Sequence, residues 1–364
     1  MKKKVLTILG TRPEIIRLSV ILPLLDKYTN HKIVHTGQNY DYNLDKVFFK
    51  NFDLRKPNYF LNAKGSFANQ ISVIIRKLYD ILLKEKPNRF LVLGDTNSSL
   101  GALVAKRLGV PVFHMEAGNR QFDDVVPEEI NRRVIDTSSD ILLPYTHRSA
   151  QNLTNEGIDR SRIFVTGNPI YEVINKFYKD IDKSKIHKLL DLQDKKYFLI
   201  TLHRQENVDD VNRLRLICSS LNDISKKFKF KIVWPIHPRT IKNIKKFKIK
   251  LNKNIIAVKP LDFFNFIKLE MNAFCVLTDS GTVQEECAIF KVPNVVLRDK
   301  TERPETIESG STIISMNNKL DILNSIKFST ENNSITDHVQ GYHDLNVSKK
   351  ILNIILSNYA FDKY

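Results

Sequence analysis

Val5-Leu6-Thr7-Ile8-Leu9-Gly10-Thr11-Arg12-Pro13-Glu14 decides how the chain folds. A mostly apolar, β-rich run stops at a glycine, and a proline follows where a helix would begin. Gly10 permits a tight turn. Pro13 suits the first helical position, with Thr11 or Arg12 ahead of it. Ile15–Leu25 then carries amphipathic spacing, so the stretch reads as buried strand, turn and crossover helix. The same rhythm recurs outward from it. Strands are expected at Val5–Leu9, Lys32–Thr36, Phe90–Leu93, Val112–Met115, Ile141–Leu143 and Ile163–Thr166, with a long helix over Phe67–Lys86. Continuous apolar strands between helices argue for a parallel sheet covered on both faces.

The pattern then restarts. Tyr197–Thr201, Lys231–Ile236, Ile255–Val258, Ala273–Leu277 and Asn294–Leu297 are the second set of strands. Gly167-Asn168-Pro169 punctuates the halves. The expectation is an α/β chain of two Rossmann-like, doubly wound domains, residues 1–168 and 169–345. A charged helix runs from 169 to about Lys188. Segment 318–345 reads as loops with a short helix, and a final helix over about 346–364 packs back on the first domain.

The chain's 364 residues allow about two domains. Hydrophobic residues at 42% and charged residues at 27% exclude a disordered chain. Apolar runs are short and broken by charges, so no bilayer-spanning segment is expected. The apolar stretch after Met1 ends too soon for a signal peptide, and a cytoplasmic location is expected. Cys218, Cys275 and Cys287 are too few and too scattered for a disulfide framework, have no metal-ligand spacing, and read as buried or partly buried thiols. The net charge of +17 comes mostly from lysines, many of them between Lys226 and Lys253. No nucleic-acid motif accompanies them, so they read as solvated helix faces.

In open parallel sheets, ligands bind at the carboxyl ends of the strands. The polar motifs fall there. Arg12 beside a helix N-terminus makes an anion site or an ordinary βα turn. Asp95, in Gly94-Asp95-Thr96, is an N-cap or a cleft carboxylate. Glu116, in His114-Met115-Glu116-Ala117-Gly118, ends a strand where surface decoration is a poor explanation. Pro127-Glu128-Glu129-Ile130-Asn131-Arg132 opens a helix, and Glu128 either complements its dipole or pairs with Arg132 four residues on. His203 and His237 end strands of the second half, and His203, among polar neighbours, suits general acid–base work. Thr278-Asp279-Ser280-Gly281-Thr282 turns into a helix whose leading amides, Ser280–Thr282, would cradle a phosphate. Thr282-x-x-Glu285 is a possible capping box. Glu286, one turn in, suits ribose hydroxyls.

Together GTRPE, GDT, HMEAG, PEExNR, HRxEN, PxHPR, TDSGxxQEE and RDxTERPE, in this order over nearly the whole chain, resemble the non-hydrolysing UDP-N-acetylhexosamine 2-epimerases. The resemblance implies a GT-B-like fold, two Rossmann-like domains with a nucleotide-sugar cleft between them. It implies Asp95, Glu116, Glu128 and His203 as the acid–base groups around the sugar, and Arg12 near the diphosphate. It places Arg132 beside Glu128, and His237, Ser280, Gly281 and Glu286 on the nucleotide, with Arg303 completing the pocket. It implies a homodimer acting on a UDP-sugar, with no cofactor, no metal, no nucleic acid and no membrane.

Departures from that pattern point to one branch. Arg17 stands where many members carry Lys, which changes the donor geometry. Thr282 replaces a glycine, Leu202 stands where glycine is common, and the Asn119–Val126 loop is shorter. Gly37-Gln38-Asn39-Tyr40-Asp41-Tyr42 differs from the segment that holds a second, activating UDP-sugar in some members. These features resemble enzymes that convert UDP-2-acetamido-2,6-dideoxy-L-talose to UDP-N-acetyl-L-fucosamine, a capsule and O-antigen precursor. UDP-N-acetylglucosamine 2-epimerisation is the alternative substrate reading. A GT-B glycosyltransferase, a hydrolysing epimerase and an anion- or nucleic-acid-binding protein are the rival classes.

Overall fold

The computed structural model describes residues 2–38, 42–316, 318–332 and 337–358, with side chains described outside 42–46. Asn39–Asp41 of the divergent segment and 359–364 of the expected terminal helix lie outside the described residues. The chain forms two compact units, 1–176 with 340–364, and 177–339.

The first unit holds β1 (Lys4–Leu9), β2 (Asn30–His35), β3 (Tyr59–Phe60), β4 (Arg89–Leu93), β5 (Val112–Met115) and β6 (Ile141–Leu143). All pair in parallel, in the order β3-β2-β1-β4-β5-β6. The second unit holds β7 (Tyr197–Thr201), β8 (Lys231–Pro235), β9 (Ile255–Val258), β10 (Cys275–Thr278), β11 (Asn294–Val296) and β12 (Thr312–Ile314). Its parallel order, β12-β11-β10-β7-β8-β9, repeats the first. Each sheet therefore reverses its winding once, between β1 and β4 and between β7 and β10. A doubly wound sheet opens a ligand crevice at that reversal. Two such units in one chain make up the GT-B-like class.

The cores follow from the strand composition. Leu6, Ile8, Phe90, Val92 and Val112 are fully buried in the first unit. In the second, Phe198, Ile200, Ile232 and Trp234 pack under the Val211–Phe228 helix with Leu214, Ile217 and Leu221. All three cysteines are buried and unpaired with each other. Among the described residues, no helix is long and apolar enough to cross a membrane.

Several local expectations are corrected. Ile163–Thr166 makes one bridge, Leu142 to Ile163, and no strand. The Ile15–Leu25 pattern is two helices, Arg12–Leu18 and Ile21–Tyr28, because the buried spacing of Leu18, Ile21, Leu22 and Leu25 continues across the break at Ser19-Val20. The charged helix after 169 is three short ones, Ile170–Lys176, Tyr178–Asp182 and Ile186–Leu189. Segment 318–345 opens with the 13-residue helix Lys319–Glu331. The Gly167–Pro169 turn lies inside the first unit, where the Asn168 amide donates to Gly341 O. The Val347–Leu356 helix packs on Ile21–Tyr28.

Candidate active site

In the first unit, the polar residues gather at the carboxyl ends of β1, β4 and β5. Only glycine fits at position 10: an added Cβ would lie 1.8 Å from Thr36 Oγ1 and 2.4 Å from Ser98 Oγ. Thr11 precedes the Arg12–Leu18 helix, so Arg12 leads it and Pro13 is second. Glu14 folds back under this turn. Its Oε2 accepts from the Gly10 amide at 3.0 Å, the Thr11 amide at 2.7 Å and Thr11 Oγ1 at 2.7 Å, while Thr96 Oγ1 donates to its Oε1 at 3.1 Å. One buried carboxyl thus joins the loop after β1 to the loop after β4. Burial raises its pKa to about 7, and these donors only partly oppose the rise.

Glu116 follows β5 in left-handed backbone, with φ of 68°. Such a conformation in a non-glycine residue signals a side chain held for a reason. Arg17 Nη1 lies 2.6 Å from its Oε2, Asn119 Nδ2 donates to Oε1 at 3.2 Å, and Tyr145 OH donates at 3.4 Å. The Arg17 guanidinium also sits 5.6 Å above the Tyr145 ring. A Cβ built on Gly94 would lie 3.4 Å from Glu116 Oε2, so the carboxylate rests against the residue before Asp95. Asp95 Oδ2 accepts from Arg132 Nε at 2.9 Å and faces Nη2 at 2.6 Å.

The expected Glu128–Arg132 pair does not form. Arg132 turns inward to Asp95 and to fully buried Glu129 at 2.7 Å, and Glu128 faces solvent in the helix's first turn. The i,i+4 rule selects a shared face, but burial of Arg132 selects the inward-facing acid at i−3. Glu129 also accepts from the Gln121 and Phe122 amides at 2.9 and 3.1 Å, and so pins the loop that follows β5. Below Glu116, His114 Nδ1 meets Asp136 at 2.7 Å, and Arg120 bridges Asp136 and Glu156.

The second unit repeats the device. Asp279, after β10, is fully buried and accepts from the amides of His203 and Arg204 after β7, and from Asn207 Nδ2. His203 Nδ1 lies 3.0 Å from Asp279 Oδ1, while the ring is 60% exposed and carries Nε2 on its open edge. Burial pushes the Asp279 pKa up, but the His203 ring and the amide donors outweigh it and hold the carboxyl below its usual range. This oriented histidine is the arrangement that a general acid–base group needs.

The Gly281–Phe290 helix starts after Ser280, so Thr282 is inside it and the Thr282–Glu285 capping box is not made. Glu285 instead holds the buried Arg303. The Ser280 amide is also not free, since it donates to Thr278 Oγ1 at 2.9 Å; the amides of the helix's first turn have no intrahelical acceptor. Gly281 is required by close approach: a Cβ there would lie 2.5 Å from Glu302 Oε1. Glu302 is itself clamped by Arg298 at 2.8 Å and Arg204 at 3.4 Å. Glu286 is buried against Glu270. His237 is exposed at the start of the Pro238–Lys246 helix, its Nδ1 accepting from the Arg239 amide at 3.2 Å. Among the described residues, no group of three or more His, Cys, Asp or Glu is arranged to hold a metal ion.

Sequence reasoning passed over Glu14, Glu129, Asp279 and Glu302 as separate participants. Each sits inside a quoted motif, and each is marked by being an acid next to a turn that a buried strand enters.

Residues 25–356 match the family described as UDP-N-acetylglucosamine 2-epimerase. The UDP-N-acetylglucosamine 2-epimerase of Methanococcus maripaludis is 41% identical over 363 residues, covering 97% of this chain and 98% of that one. The UDP-2,3-diacetamido-2,3-dideoxy-D-glucuronate 2-epimerase of Pseudomonas aeruginosa is 40% identical over 316 residues, covering 85% and 88%. The crystal structure of Methanocaldococcus jannaschii UDP-GlcNAc 2-epimerase in complex with UDP-GlcNAc and UDP superposes with a TM-score of 0.90 at 40% identity, covering 97% and 99%. With its motifs in order on two doubly wound sheets, the chain belongs to the UDP-N-acetylglucosamine 2-epimerase family, a family of isomerases.

Proposed function

We propose that the protein is a non-hydrolysing UDP-N-acetylhexosamine 2-epimerase. The observation that carries this reading is Glu116, held in left-handed backbone by Arg17 beside Asp95 at the ends of β4 and β5. The C2 proton of a sugar is not acidic, so inversion needs a route. A base removes that proton while the C1–oxygen bond breaks and UDP departs, giving a 2-acetamidoglycal. UDP then adds back to C1 as a proton is delivered to the opposite face of C2. Atoms balance, and no net oxidation occurs.

This chemistry requires acid–base groups on both faces of the ring and a held leaving group. Asp95, Glu116 and the open Glu128 are the carboxyl candidates, and His203 of the second unit is the imidazole. Arg12 serves the diphosphate, and Arg132 keeps Asp95 in place. Ser280, Gly281, His237 and Glu286 serve the nucleotide, with Arg303 ordering the turn through Glu285.

The finer proposal is UDP-2-acetamido-2,6-dideoxy-L-talose as substrate, supported by Arg17, Thr282 and the short Asn119–Val126 loop. UDP-N-acetylglucosamine is the second reading, favoured by the activity named for the Methanococcus relative. A homodimer is also proposed. Ile75, Tyr79, Leu83, Leu103, Ile130 and Val134 leave apolar surface exposed on neighbouring helices of the first unit, which supports it. Light scattering on Leu103→Arg would then read a monomer.

Incubation with each UDP-sugar in D₂O, followed by proton NMR, tests the function. Deuterium at C2 of an intact UDP-sugar is the expected result, and the sugar that exchanges identifies the substrate. Free UDP with a free sugar would replace this reading by a hydrolysing one.

A further inference from the structure

Behind the candidate carboxyls lies a histidine whose two ring nitrogens both meet oxygen. His114, in β5, is buried. Its Nδ1 lies 2.7 Å from Asp136 Oδ1, and its Nε2 lies 3.1 Å from the carbonyl oxygen of Gly94. A carbonyl oxygen only accepts, so Nε2 must carry a proton to make that bond. A charged carboxylate also only accepts, so Nδ1 facing one must carry a proton as well. The other contacts of Asp136 favour its charged form. Its Oδ2 accepts from the Gly118 amide at 3.2 Å and lies 2.8 Å from Arg120 Nη2. Burial pushes the Asp136 pKa up, but the His114 ring and Arg120 outweigh it and hold the carboxyl below its usual range. An imidazolium is the form of His114 that satisfies all of these contacts. The charges then balance, with His114 and Arg120 against Asp136 and Glu156.

What the ring holds is the chain on either side of both carboxyls. Gly94 follows β4 in left-handed backbone, with φ of 68°. Its amide donates to Met115 O at 3.0 Å and its carbonyl faces His114 Nε2, so the residue before Asp95 is gripped from β5 at both ends. Glu116 stands two residues after His114 and two before Gly118, and Asp136 holds both of those neighbours. A ring with a single proton would give up one of its two bonds and leave a buried acceptor facing a lone pair. We propose that His114 is a positioning residue, an imidazolium that ties the Gly94–Asp95 turn to the chain carrying Glu116 and thereby sets the spacing of the two carboxyls. The proposal rests on the epimerase reading above. It goes beyond that reading by giving a protonation state and a task to a side chain that lies behind the reacting groups.

Two measurements on the full chain test it. The first is proton–nitrogen NMR of protein labelled with ¹⁵N-histidine, under the conditions of the turnover assay, with His114 assigned by the signals missing from His114→Gln. Two slowly exchanging ring N–H protons are expected, and a single one overturns the proposal. The second compares turnover, UDP affinity and urea midpoint in His114→Asn and His114→Gln. The asparagine amide stands where Nδ1 does and keeps the bond to Asp136. The glutamine amide reaches where Nε2 does and keeps the bond to Gly94. His114→Asn should lower kcat on the order of 100-fold, the cost of a reacting group displaced by about 1 Å, with UDP affinity close to that of the wild type. His114→Gln should recover most of that loss at a similar urea midpoint. Wild-type turnover in His114→Asn would overturn the proposal. Equal losses of turnover in the two variants, or loss of folding in both, would assign the ring to the fold alone and overturn it too. A wild type that takes up deuterium into no UDP-sugar would overturn the epimerase reading itself, and its ring spectrum tells that failure from the others.

Discussion

Arg17 Nη1 lies 2.6 Å from Glu116 Oε2, and both side chains are buried. The pair anchors a residue in left-handed backbone, with φ of 68°. Removing the cation takes an ion-pair partner 2.6 Å away from a buried carboxylate. Arg17→Leu is therefore expected to cost about 3–5 kcal/mol of folding stability, read as a shifted urea midpoint. Arg17→Lys should keep part of that stability, because an ammonium preserves the charge but not the planar donor set. An unshifted midpoint for Arg17→Leu would show the pair to be dispensable.

Asp95→Asn, Glu116→Gln and Glu128→Gln should each lower turnover by about 100-fold or more, with UDP affinity close to that of the wild type. Steady-state rates alongside UDP titration separate the two quantities. Wild-type turnover in all three would remove the acid–base assignment.

His203→Ala should lose about 100-fold in turnover. Asp279→Asn should lose activity as well, because an amide cannot accept at once from the His203 and Arg204 amides and Asn207 while holding the His203 ring. Rates unchanged in His203→Ala would return that ring to a structural role.

Glu14 couples stability to pH. Its folded pKa is about 7, against 4.5 when unperturbed. The folded state binds the proton more tightly, so its contribution is complete below pH 4.5, declines as pH rises and levels off above about 7. The change across that window is on the order of 3 kcal/mol. Chemical denaturation between pH 4 and about 8 should show stability falling with pH, and Glu14→Gln should flatten that slope. A slope that persists in Glu14→Gln would assign it to other groups.

Turnover should survive exhaustive dialysis against a chelator, since the proposed elimination draws its charge stabilisation from Arg12 and helix-terminal amides. Activity lost to the chelator and restored by Mg²⁺ would rewrite the leaving-group half of the mechanism.

The alternation of β1, β2, β4, β5 and β6, and of β7 to β11, was legible because buried parallel strands must be apolar and short, and their turns must carry glycine or proline. Tyr59–Phe60 and Thr312–Ile314 escaped as edge strands of two and three residues, too short to show a period. At the site, sequence spacing named the strand-end residues but not their pairings. Glu128 and Glu129 differ by one position, and only the direction of burial tells which one meets Arg132. Asp279 sat in view within Thr278-Asp279-Ser280-Gly281, yet its donors arrive from residues 203 to 207, a separation that no local rule spans.

Glu14 and Asp279 each tie the loop after the opening strand of a sheet to the loop after the strand beside it. Within each unit, these loops thus form a structural pair. Transplanting the Gly10–Glu14 turn into another scaffold without Thr96, or the His203 loop without Asp279, would carry over the visible reactive groups and leave behind the staple that aims them. A chimera built with strand ends as its crossover points should respect that pairing before it respects any motif.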